Sequence, residues 1–208
     1  MSAANPQVNV TLGESNVRNA IAGADLETLR AGVAWYGIVR AECHVMAKEF
    51  GVPFRVIAGI VAVLSATAPW EQNKVATRRI LESWHSGTRN AEDMPAVVRN
   101  HLAVVKAVLM LQTGKVAEHI VKVAPTYRTQ SWKTLVFWYN ISGKSTRRVT
   151  IDVWMWRLIS GDMSSQKRPK GCEYMVCERI VQKVAREFGL RPCDAQAVAW
   201  MTLTGKVA

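Results

Sequence analysis

Gly51-Val52-Pro53-Phe54-Arg55-Val56-Ile57-Ala58-Gly59-Ile60-Val61-Ala62-Val63-Leu64 decides the class of this fold. Glycine just past a helix end, with proline soon after, stops a helix arriving from the N-terminal side. Pro53 also suits the first position of the helix that follows. Phe54 to Leu64 is apolar on nearly every side of a helical wheel, which predicts a central, buried helix. Its valines and isoleucines are also compatible with a strand, but no turn-bounded partner strand follows.

Working outward, apolar residues at Val33, Tyr36, Ile38, Val39, Val45 and Met46 predict a helix from about Asp25 or Leu26 to Phe50. Residues 1–15 read as a flexible tail, and residues 16–208 as a single α-helical domain that could divide into two lobes. After the buried helix, Ser65 to Trp70 breaks the pattern. A more polar helix then runs from Trp70 to Trp84, followed by a loop at Ser86 to Asn90. Further helices are expected at Pro95–Leu111, Val116–Val123, Gln130–Asn140, Asp152–Ser160, Glu173–Phe188 and Pro192–Leu203. Gly114, Pro125 and Gly189 punctuate them. Thr150 is the expected cap of the Asp152–Ser160 helix, with Asp152 in a first turn that favours an acid. No repeat and no strand pattern appears. The expected fold is an all-α, compact domain of about eight to ten helices.

The chain has 208 residues, 49% hydrophobic and 21% charged, which fits a folded globular protein. Its net charge of +11 favours anionic partners, nucleic acid first and an anionic membrane surface second. The excess is concentrated: Ile120 to Lys170 holds ten cations and two acids. Such a window is either a phosphate-binding face or a solvated basic surface. Four cysteines without a Cys-x-x-Cys pair and four scattered histidines argue against zinc or iron–sulfur centres, and no cofactor is expected. Met1 to Gly13 lacks the apolar segment of a secretion signal, and Val56 to Ala68 is too short to span a bilayer. A cytoplasmic location is the expectation.

The chemistry-bearing stretch is Arg147-Arg148-Val149-Thr150-Ile151-Asp152-Val153-Trp154-Met155-Trp156-Arg157, which follows the turn Gly143-Lys144-Ser145-Thr146. One carboxylate stands among cations at the start of an apolar helix. An acid so placed is either functional or structural, capping the helix or pairing with Arg147, Arg148 or Arg157.

Two segments carry a resemblance. Val56 to Ala76 contains Leu64-Ser65-Ala66 followed by a polar turn and Asn73-Lys74-Val75-Ala76. It resembles the opening of the helix-hairpin-helix DNA glycosylase superfamily, of the endonuclease III type. Val149 to Arg157 resembles that family's Val-Asp-Thr-His-x-x-Arg-Val segment, with Trp154 where the family has histidine. Ile141-Ser142-Gly143-Lys144-Ser145 stands where the family has its hairpin, here shortened to a single glycine. The chain also resembles a group of small phage-encoded proteins through Trp35-Tyr36, Leu64 to Asn73, Thr150-Ile151-Asp152 and Gln196-Ala197-Val198-Ala199-Trp200.

The resemblance implies a double-stranded DNA partner and makes Asp152 the candidate catalytic carboxylate. Glycosidic cleavage passes through a cationic sugar that a carboxylate stabilises, and one acid suffices for a monofunctional glycosylase. A lyase would need a lysine nucleophile, for which Lys144 is nearest in sequence, although phosphate contact suits it better. The candidate DNA-binding residues are Gln72, Asn73, Lys74, Lys133, Gly143, Lys144, Ser145, Arg147, Arg148 and Arg157. For Gln72 and Asn73, helix capping is the alternative. Glu71 is expected to balance Lys74 at i,i+3. Gly143-Lys144-Ser145 lacks the upstream glycine of a nucleotide-binding loop. Trp70, Trp132, Trp138, Tyr139, Trp154 and Trp156 are core residues or stacking partners for bases. Three functions stay open: a glycosylase that excises a base, a glycosylase fold that binds DNA without cleaving, and a phage protein that binds a host protein.

Overall fold

A computed structural model describes residues 8–65, 69–95, 101–124, 127–128 and 132–205. Among the described residues the chain is all-α, with helices α1 (Val10–Ala22), α2 (Leu26–Phe50), α3 (Phe54–Leu64), α4 (Trp70–His85), α5 (His101–Thr113), α6 (Val116–Val121), α7 (Trp132–Ser142), α8 (Val153–Ser160), α9 (Gly171–Glu187) and α10 (Pro192–Thr204). One short antiparallel pair, β1 (Lys122–Ala124) and β2 (Tyr127–Arg128), interrupts them. The chain divides into two units. The first holds the residues up to Gly37 together with those from Gly143 onward, and the second holds Ile38 to Ser142.

In the second unit α3 is the buried centre, as its sequence predicts. Every residue from Val56 to Leu64 is buried, and α4, α5, α6 and α7 pack around it. Each fully buried valine, isoleucine or leucine contributes about 1.5–3 kcal/mol. Polar ties fix the neighbours. Trp138 Nε1 donates to the Arg55 carbonyl at 3.1 Å, joining α7 to α3. Arg40 donates to the carbonyls of Asn140 and Ile141 at the end of α7, supplying partners for terminal acceptors that the helix itself cannot satisfy.

In the first unit α1 lies against α8, α9 and α10. Gly32 of α2 meets α10 at backbone distance: a Cβ added there would lie 2.7 Å from the backbone nitrogen of Val198. Only glycine permits that approach.

Several expectations are corrected. Residues 10–15 belong to α1 and are not part of a tail. The Asn9 side chain accepts from Leu12 N, and Gly13, Val17 and Ile21 are buried at helical spacing. Exposed Val10 and Leu12, with a glycine in the buried stripe, hide this pattern in the sequence. Helix α6 ends at Val121, and Lys122–Ala124 is extended. A residue preceding proline, as Ala124 is, avoids helical backbone. The cap of α8 is Asp152, not Thr150. The expected starts at Pro95 and Gln130 lead into residues 96–100 and 129–131, outside the described set.

Candidate nucleic-acid interface

The segment from Gly143 to Asp152 has almost no regular structure, yet nearly every polar group in its second half is bonded from beneath. It turns at Gly143 (φ 73°), a left-handed conformation that glycine adopts without strain. Ser145 Oγ then accepts from the backbone nitrogens of Arg147 and Arg148. Helix α9 supplies a ladder of three side chains four residues apart, which puts them on one helical face. Gln182 Nε2 donates to the Arg147 carbonyl at 2.9 Å. Glu178 Oε1 accepts from Arg148 Nε at 2.6 Å and from Val149 N at 2.8 Å. The Tyr174 hydroxyl donates to the Val149 carbonyl at 2.9 Å and accepts from Ile151 N at 3.1 Å. Helix α10 adds Cys193 N, which donates to the Thr146 carbonyl. Thr150 Oγ1 lies 3.3 Å from the Tyr36 hydroxyl, which donates to Gln196 Oε1 at 2.7 Å. Burial pushes both phenols well above the usual tyrosine range, with the charge of Asp152 adding to the shift, so they act as neutral hydroxyls.

Asp152 is the N-cap of α8. Its backbone is extended and its Oδ1 accepts from Met155 N at 2.9 Å. The side chain is half-buried, and Oδ2 has no hydrogen-bond partner among the described residues. No cation stands within ion-pair distance of it among those residues, and two of the arginines near it in sequence, Arg148 and Arg157, are engaged elsewhere. Arg148 pairs with Glu178. Arg157 Nε donates to the Ser165 carbonyl at 2.8 Å, and its guanidinium lies 4.4 Å from the centre of the Trp154 ring. Arg147 is exposed without a carboxylate partner among the described residues.

The candidate residues therefore divide between the units. Gly143, Lys144, Ser145, Arg147, Arg148, Asp152 and Arg157 fall in the first; Gln72, Asn73, Lys74 and Lys133 fall in the second. Lys144 and Gln72 are exposed. Asn73 is corrected: it is buried, its amide donates to the Val61 carbonyl at 3.0 Å, and its oxygen accepts from Thr77, so it ties α4 to α3 and has no surface for DNA. Lys74 sits between Glu71 and Glu42, so its charge is balanced as expected for Glu71. Lys133 donates to Ser65 Oγ at 3.0 Å. Arg148 serves the fold through Glu178. Trp138 and Trp156 are buried, whereas Trp154 is half-exposed.

Sequence reasoning missed the supports: Tyr36, Tyr174, Glu178, Gln182 and Gln196. A signal exists for three of them, since Tyr174, Glu178 and Gln182 form a polar stripe at i, i+4 and i+8 on the expected Glu173–Phe188 helix.

Among the described residues no cluster of histidine, cysteine or acidic side chains could hold a metal ion. No helix among them is long and apolar enough to cross a membrane. No curated protein and no solved structure matches the chain. A family model does match it, over residues 3–207, and the chain belongs to that family, the family of unknown function DUF7178.

Proposed function

We propose that the protein binds DNA, gripping phosphates with the first unit through the Gly143–Arg147 turn, Arg157 and the basic loop at Lys167–Lys170. The observation that carries this reading is the way the segment is held. Its carbonyls and amides are bonded by α9, α10 and Ser145, Tyr36 lies against the Thr150 hydroxyl, and the one buried acid of the ladder is taken by Arg148. Exposed Lys144 and Arg147 are thereby presented on a braced turn. Cations on a preorganised surface release counterions from a polyanion at little entropic cost. A titration of fluorescent duplex DNA at two salt concentrations tests it: affinity should fall steeply with salt. Salt-indifferent affinity, or none, overturns the DNA reading and favours a protein partner.

A second reading makes Asp152 the carboxylate of base excision. The partnerless Oδ2 supports it: Oδ1 fixes the group to the helix while Oδ2 remains available to a cationic sugar. Asp152→Asn keeps an efficient helix cap and removes the charge. Alkali-labile sites produced on duplex DNA by the wild type and absent with Asp152→Asn support catalysis. Excision that survives the substitution removes Asp152 from the chemistry.

A further inference from the structure

We infer that the Trp154–Arg157 pair is a stacking site for an unpaired nucleobase, which names the substrate class of the DNA-binding surface and rests on that reading. Trp84 of α4, with Arg89 4.1 Å from its ring centre, is an aromatic–cation pair too, but it lies in the other unit and outside the basic segment of the sequence. Three tryptophans of the second half of the chain differ from one another. Trp138 and Trp156 are 3% and 5% exposed and spend their indole N–H groups on the Arg55 carbonyl and Ser165 Oγ. Trp154, two residues after Asp152, is half-exposed, and its indole N–H has no partner among the described residues. A tryptophan recruited for packing has its ring covered and its N–H satisfied; this one is covered only in part, and its N–H is unsatisfied among the described residues.

What Trp154 does have is a fixed cation. The Arg157 guanidinium lies 4.4 Å from the ring centre and is held there by its bond to the Ser165 carbonyl. Ser165 is itself fastened: its Oγ accepts from Trp156 Nε1 at 3.0 Å and from Lys167 N at 3.2 Å. The ammonium of Lys167 lies 4.7 Å from the Trp156 ring. One serine thus clamps the loop after α8 onto the helix and orders both aromatic–cation pairs. The loop continues through exposed Arg168 and Lys170, suited to the phosphates on either side of a bound base. A rigid indole and a planar guanidinium present π-surface at little entropic cost, and every base has a face to match it. Bases within a duplex are already stacked on each other, so the ligand is an unpaired nucleotide, single-stranded or extruded.

The test compares single-stranded oligothymidylate with an oligomer of equal length in which every residue is abasic. Phosphates are the same; bases are absent from the second. By fluorescence anisotropy the wild type should bind the base-bearing strand about tenfold more tightly. Trp154→Ala should bind both strands alike, at the affinity of the abasic one, and Trp154→Phe should keep much of the preference. Equal, salt-sensitive binding of both strands by the wild type overturns the stacking site while leaving DNA binding intact. A preference that survives in Trp154→Ala overturns it as well. Binding of neither strand, nor of duplex, removes the DNA-binding reading and this inference with it.

Discussion

Glu178 holds both Arg148 and the backbone beside it with a single oxygen, Oε1, at 2.6 Å from Arg148 Nε and 2.8 Å from Val149 N. Glu178 is buried, whereas the Arg148 side chain is 30% exposed, so solvent offsets part of the loss when the pair is broken. Glu178→Leu should cost about 2–3 kcal/mol, because it strands a guanidinium and a buried amide. That corresponds to a fall in Tm of roughly 5–10 °C. Glu178→Gln keeps an acceptor for Val149 N and should cost less. Equal Tm values for wild type and Glu178→Leu would show that the ladder does not support the fold.

Adjacent arginines should respond oppositely to charge reversal. Arg147→Glu lies on the exposed turn and should leave Tm within about 1 °C while weakening duplex binding and lowering the salt slope by about one. Arg148→Glu faces Glu178 and should destabilise the protein before any binding is measured. Thermal melts paired with salt titrations separate the two. A stable Arg148→Glu variant with wild-type Tm would refute the structural assignment of that residue.

The cap at Asp152 predicts its own stability series. Asp152→Ala should cost about 1 kcal/mol, and Asp152→Asn close to nothing, since asparagine caps as well as aspartate. Urea denaturation of the three proteins checks this. If Asn destabilises as much as Ala, the charge and not the hydrogen bond to Met155 N is what α8 needs.

Burial pushes the thiols of Cys43, Cys177 and Cys193 up to about 12, whereas Cys172 is exposed. At pH 8 a thiol-specific reagent should therefore label one cysteine in the native protein and all four after unfolding. Because these folded-state values are raised, the folded chain keeps protons between about pH 9 and pH 12 that the unfolded chain loses. These thiols should make stability decrease with rising pH across that window. Rapid labelling of more than one site in the native state would contradict the burial.

Much of the helical frame was legible in the chain. Gly51 and Pro53 mark the α2–α3 boundary, and the continuous apolar run of α3 could be nothing but central. Helix α1 was not legible, because its buried stripe of Gly13, Val17 and Ile21 is narrow and starts with a residue that has no side chain, while Val10 and Leu12 face solvent. Asp152 stood out in sequence because it is a lone acid among cations, but its task as a cap depends on its own extended backbone at the start of α8. Asn73 was misread for a related reason. A polar residue at the head of a helix looks exposed until α3 is packed against it. The supports on α9 act across about 25–35 residues of sequence, and periodicity alone cannot say what a polar stripe will face.

The ladder also sets an order of events for the chain as it is made. Arg147 to Ile151 leaves the ribosome well before Tyr174, Glu178 and Gln182, and of the partners described Tyr36 and Ser145 are already synthesised. The basic turn therefore emerges with most of its amides and carbonyls bonded only to water. It becomes ordered when α9 arrives, so a nascent chain that stalls before α9 exposes the cationic segment without its shape.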